Sequence, residues 1–100
     1  MEVLNSVLKE ELKRLKDLSR QYSKNLGPLP KGSLVRKKIS GRIYYYLAHR
    51  KEKKVVFDYV GKLNQKDREN LLDKIDERKK IEKLNRQVKK DIKKIDKMIK

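Results

Sequence analysis

The sequence predicts an α+β chain: a long N-terminal helix, a three-stranded antiparallel β-meander and a long C-terminal helix. Three observations carry this. Apolar residues recur at helical spacing over residues 2–26 and again over 64–99. Between them, residues 34–60 hold five of the six aromatic residues, Tyr44, Tyr45, Tyr46, Phe57 and Tyr59, among valines and isoleucines, the types a pleated surface favours. Turn signals at Ser40-Gly41 and at Arg50-Lys51-Glu52-Lys53 cut that stretch into three strands. One hundred residues suit a single domain, 1–100.

Composition narrows the class. Charged residues make up 44% of the chain, with 30 Lys and Arg against 14 Asp and Glu and a net charge of +16. The mean hydropathy of -0.99 approaches the disordered regime. The apolar residues are nevertheless periodic, and glycine and proline are few at 4 and 2. Residues 31–62 carry ten Lys and Arg against two acids, the densest excess in the chain. Such a charge suits nucleic acid first and an acidic membrane surface second. With no cysteine and a single histidine, His49, neither a disulfide framework nor a thiolate or histidine metal site is expected. No cofactor and no enzymatic activity are expected either. No apolar run reaches the ~20 residues of a membrane span. No signal segment precedes the first helix, so a cytoplasmic protein is expected.

In the first helix, Leu8, Leu15 and Tyr22 repeat every seven residues, with Leu4 and Leu18 on companion positions and Glu11 interrupting. Gly27-Pro28 stops it, Gly27 being suited to a left-handed cap. The segment Gly27–Ser33 is an irregular connection, and the Gly32-Ser33 backbone offers a weak phosphate nest beside its simple role as a turn. Strands follow at Leu34–Lys38, Arg42–His49 and Lys54–Val60. On the second, Ile43, Tyr45 and Leu47 are expected to face the helices, leaving Tyr44 and Tyr46 outward. The third divides into Val55, Phe57, Tyr59 and Val56, Asp58, Val60. A three-residue first turn places Arg36 and Lys38 beside Tyr44 and Tyr46; a two-residue turn places them with Ile43 and Tyr45. Asp58 is expected to pair with a neighbouring Lys or Arg.

The last helix begins at an Asn64 cap, with Asp67 three residues on. Ile81, Val88 and Ile95 form its heptad series, with Leu84 and Met98 as companions and Asp91 breaking one position. Its stripe shifts between Ile75 and Ile81, as at a stutter. At 1.5 Å per residue it spans roughly 52 Å, against roughly 37 Å for the first. The two are expected to pair antiparallel as a coiled-coil-like stem, the unmatched length favouring a homodimer or a docking surface.

Cations neutralise phosphates, and tyrosine rings offer faces on which bases stack. The expected nucleic-acid contacts are therefore Lys31, Ser33, Arg36, Lys37, Lys38, Arg42, Tyr44, Tyr46, Arg50, Lys51, Lys53, Lys54 and Lys62. Duplex DNA is the leading partner, ahead of RNA. The alternatives are a phage or mobile-element protein-interaction module or inhibitor acting on a host protein, and a helical dimerisation subunit that touches no nucleic acid.

The run L-P-K-G-S-L-V-R-K-K-I-S-G-R-I-Y-Y-Y-L, followed by a basic turn and F-D-Y-V-G-K, resembles a family of small bacterial and phage proteins of unknown function. The resemblance covers about residues 29–99. The matching positions are Gly32, Ser33, Leu34, Gly41, Tyr44, Tyr45, Tyr46, Tyr59, Val60, Gly61 and Lys62. The second turn departs from the pattern, having Arg50-Lys51-Glu52-Lys53 where glycine is usual. A similar hairpin occurs in the N-terminal regions of some insertion-sequence transposases, whose catalytic acids have no counterpart here. The resemblance implies the helix–meander–helix fold and contact with DNA.

Overall fold

A computed structural model describes residues 2–99. In chain order it consists of α1 (Glu2–Leu26), β1 (Ser33–Ile39), β2 (Arg42–Lys51), β3 (Lys54–Gly61) and α2 (Gln65–Met98). This is the predicted α+β order. The chain forms two compact units. One comprises the residues up to Pro28 with those from Lys79 onward; the other is Leu29–Arg78.

The first unit is helical. α1 is rich in Leu, Lys, Glu and Arg, side chains that lose little rotamer freedom in a helix. It ends at Leu26, but not through the expected left-handed cap, because Gly27 is absent from the positive-φ glycines. Pro28 supplies the stop: it lacks an N–H donor and disfavours helical backbone at the residue before it. α1 runs antiparallel to the second part of α2. The Ser19 hydroxyl donates to Asn85 Oδ1 at 2.7 Å, and Glu11 and Leu15 share a groove with Asp91 and Ile95.

Burial places the seam of this pair one residue from its expected companions. Leu15, Asn85 and Val88 are buried. Leu8, Leu12, Ser19, Tyr22 and Leu26 of α1 are half-buried, as are Ile81, Ile92, Ile95 and Ile99 in or just after α2. Both series advance in alternating steps of four and three, 8-12-15-19-22-26 and 81-85-88-92-95-99. The expected companions Leu4, Leu84 and Met98 are 52%, 51% and 59% exposed, while Leu18 is half-buried like Ser19 beside it, at the border of the seam. The physical reason is Ser19 and Asn85. They are polar, so an apolar count skips them, yet they satisfy each other inside the seam.

The second unit is a sheet with the first part of α2. Strand order is β1-β2-β3, antiparallel throughout. Ser40 and Gly41, with φ of 50° and 78°, form a two-residue turn closing the Ile39–Arg42 pair. Two successive positive φ values match the right-handed strand twist. The second turn is shorter than expected. β2 continues to Lys51, β3 starts at Lys54, and Glu52-Lys53 join them with Glu52 at φ 58°. Gly32 has φ 110°, and a Cβ there would lie 2.3 Å from the Ala48 carbonyl oxygen. Close approach to β2 therefore accounts for this glycine without a phosphate.

α2 is capped as expected: the Asp67 N–H donates to Asn64 Oδ1 at 2.8 Å. The face of β2 bearing Tyr45 turns to α2, where the Tyr45 hydroxyl accepts from Arg68 Nη1 at 3.2 Å. Tyr45 and Ile75 are buried in this unit. Arg78 occupies the place where the apolar stripe shifts, and its Nη1 donates to the Leu29 carbonyl at 2.8 Å. The helix is continuous there. Among the described residues no helix is long and apolar enough to cross a membrane.

Candidate nucleic-acid interface

Register decides which side chains share a face. The two-residue first turn pairs Lys37 with Tyr44 and Val35 with Tyr46. Arg36 is opposite Tyr45 and Lys38 opposite Ile43, so both lie on the α2-facing side. Across β2 and β3, Tyr46 pairs with Tyr59 and Ala48 with Phe57. The outer face therefore gathers Tyr44, Tyr46, Phe57 and Tyr59 on two neighbouring strands.

A bulge refines this arrangement. Tyr46 is opposite Tyr59, but Tyr45 is opposite Gly61, leaving Val60 as the extra residue on β3. One step beyond, Lys62 comes level with Tyr44, and its Nζ lies 5.9 Å from that ring's centroid. Without the bulge Lys62 would fall one step past Tyr44.

The rings touch. Tyr46 and Tyr59 are edge-to-face with centroids 5.4 Å apart, and Tyr44 and Tyr59 are tilted at 6.3 Å. Both fall within the favourable range for aromatic pairs. Lys37 Nζ sits between two rings, 5.0 Å from Tyr46 and 4.5 Å from Phe57, where the negative ring faces attract a cation. Phe57 is 48% and Tyr59 62% exposed, while Tyr44 and Tyr46 are half-buried.

The expected contact residues divide accordingly. Ser33, Lys37, Arg42, Tyr44, Tyr46 and Arg50 lie on the outer face; Arg36, Lys38, Lys51 and Lys54 lie on the other. Lys31 precedes β1, Lys53 is in the second turn and Lys62 follows β3. Phe57 and Tyr59 belong to the outer face and were not among the expected contacts. Their alternation with Val55 was visible in the sequence, but the register that aligns them with Tyr44 and Tyr46 was not.

Both acids of the segment are off this face. Glu52 is in the turn. Asp58 lies on the α2-facing side, 2.6 Å from His49 Nε2 through Oδ2. Its partner is thus the histidine rather than a Lys or Arg. Asp58 and His49 occupy adjacent positions on that side, and a carboxylate acceptor requires the proton on Nε2. Among the described outer-face strand residues, three cations, Lys37, Arg42 and Arg50, stand with four aromatic rings and no carboxylate. No group of three potential metal ligands occurs among the described residues.

Comparison with curated proteins and with solved structures gives no match. A family model described as a domain of unknown function, DUF6788, matches residues 7–70. The match takes in α1 from Val7, the three strands and the start of α2, and the chain belongs to the DUF6788 family.

Proposed function

We propose that this chain is a non-enzymatic nucleic-acid-binding module that engages single strands, DNA first, through the outer face of its sheet. The observation that supports this is the gathering of Tyr44, Tyr46, Phe57 and Tyr59 with Lys37, Arg42 and Arg50 on that face. The axes of the outer strands are about 10 Å apart, close to the major-groove width of about 12 Å. Width therefore does not separate duplex from single strand; side-chain chemistry does. Groove reading needs slender polar groups that reach base edges; here Arg42 and Arg50 stand towards the two ends of β2, and the middle of the face is four rings. Each base stacked on an aromatic ring contributes about 1–3 kcal/mol, and the surrounding cations add a salt-dependent term.

Fluorescence anisotropy with single-stranded DNA, duplex DNA and single-stranded RNA, from about 50 to about 300 mM salt, tests the reading. Single strands are expected to bind more tightly than duplex. Phe57→Ala with Tyr59→Ala is expected to weaken binding roughly 10- to 100-fold, the loss of one or two stacked bases. Lys37→Ala is expected to weaken it more than Arg36→Ala, which lies on the opposite face. Equal affinity for duplex and single strand, or no effect of the double substitution, overturns the single-strand mode. No binding to any of the three overturns the nucleic-acid reading.

One observation favours a second reading. Val55, Phe57 and Tyr59 form an exposed row on β3, which has a neighbour on one side only. Such an edge can accept an extended peptide as an added strand. A protein-interaction module of this kind binds a protein partner tightly while its affinity for naked nucleic acid vanishes near physiological salt.

A further inference from the structure

We propose that two copies of this chain dimerise through one flank of the helical unit, built around Leu4, Val7, Glu11, Arg14, Asp91 and Met98. This inference does not depend on the nucleic-acid reading. It starts from the displaced seam. Leu4, Val7, Glu11, Arg14 and Leu18 follow one line along α1 in steps of three and four. Leu84, Asp91 and Met98 follow one line along α2 in steps of seven. Neither line belongs to the seam, and Leu4, Val7, Leu84 and Met98 are each more than half exposed. The two lines border the same groove. Glu11, Arg14, Asp91, Lys94 and Met98 form its walls and Leu15 and Ile95 its floor, enclosing about 280 Å³.

Charge identifies the occupant. In a chain of net charge +16, the groove walls carry two carboxylates and two cations. A polyanion would meet Glu11 and Asp91, and a wholly apolar partner would strip water from the Glu11–Arg14 ion pair and strand Asp91 and Lys94. A second copy meets neither problem. With α1 of each copy laid antiparallel on α2 of the other, Glu11 faces Lys94, Arg14 faces Asp91 and Val7 faces Met98 between copies. Acid then meets base at the centre and apolar meets apolar at the end. Isologous contacts of this kind need only one self-complementary patch.

The patch is small. Leu4 to Leu18 spans about 21 Å of helix, and two helix widths give roughly 400 Å² per copy. That is about half the usual area per partner, so the dimer is expected to form in the micromolar range rather than to be permanent.

Sedimentation equilibrium of the full chain from about 1 to about 300 μM, in about 0.15 M salt to screen the net charge, tests this. The expected result is a mass rising from 12.0 kDa towards twice that value. Val7→Glu with Met98→Glu is expected to hold the chain monomeric with unchanged helical circular dichroism, since both side chains are exposed. Asp91→Arg, which sets two arginines face to face between copies, is expected to weaken association about tenfold. A monomer throughout overturns the proposal. So does a dimer indifferent to the Val7 and Met98 changes, or to Asp91→Arg.

Discussion

Gly32 and Gly27 lie in the same short connection and behave oppositely. At Gly32 a side chain would collide with the Ala48 carbonyl, and φ is 110°. Gly32→Ala is expected to cost about 2 kcal/mol or more in urea unfolding. At Gly27 an added Cβ meets only the Lys24 carbonyl at an ordinary 3.5 Å. Gly27→Ala is expected to be neutral or to stabilise by up to about 1 kcal/mol, because it narrows the unfolded ensemble. Glu52 holds a φ of 58° with a full side chain. Glu52→Gly removes that conflict and is expected to raise the unfolding midpoint, with a gain of about 0.5–1 kcal/mol. The sequence marked both turns, but composition could not distinguish a glycine required by a collision from one that merely precedes a proline.

At the level of elements, the sequence located both helices and all three strands to within one or two residues. It left the register of the first hairpin open and put the helix companions one position off. The first needs the turn length, since a change of one residue exchanges the two faces of a strand. The second needs knowledge that Ser19 and Asn85 bond each other. Ser19→Ala leaves the buried Asn85 short of a partner and is expected to cost about 1–3 kcal/mol. Ser19→Ala with Asn85→Leu is expected to regain most of that loss or more, as apolar replacement of a buried polar pair often does. A double-mutant cycle in urea measures the coupling. On the neighbouring line of α1, the hydrogen bond from Arg14 Nε to Glu11 at 2.9 Å holds the Glu11 carboxyl below its usual pKa. Because the folded value is the lower one, this contribution is present at neutral pH and is lost as pH falls through it.

At the scale of the whole molecule, the core is thin. Among the described residues the buried apolar side chains are Leu15 and Val88 in the helical unit and Tyr45 and Ile75 in the sheet unit. Truncating one of them should cost about 2–5 kcal/mol, a large part of the 5–15 kcal/mol typical of a domain. Leu15→Ala is expected to lower amide exchange protection chiefly in α1 and in α2 beyond Lys79. Ile75→Ala is expected to lower it chiefly in the strands and the start of α2. Hydrogen exchange resolved by residue checks both, and equal loss everywhere would show one cooperative unit instead of two.

What the sequence determined by itself was local: helix periodicity, the Asn64 cap, the strand-forming stretch, the turns and the basic excess. These depend on neighbours within a few positions, so composition and spacing suffice. Tertiary structure alone decided which side chains meet. It set Phe57 and Tyr59 beside Tyr44 and Tyr46, moved Arg36 and Lys38 to the opposite face, brought Lys62 level with Tyr44 through the Val60 bulge, and joined Ser19 to Asn85. Each of these depends on a register between segments. A register is fixed by the summed fit of many contacts across two elements, and no single residue in either element encodes it.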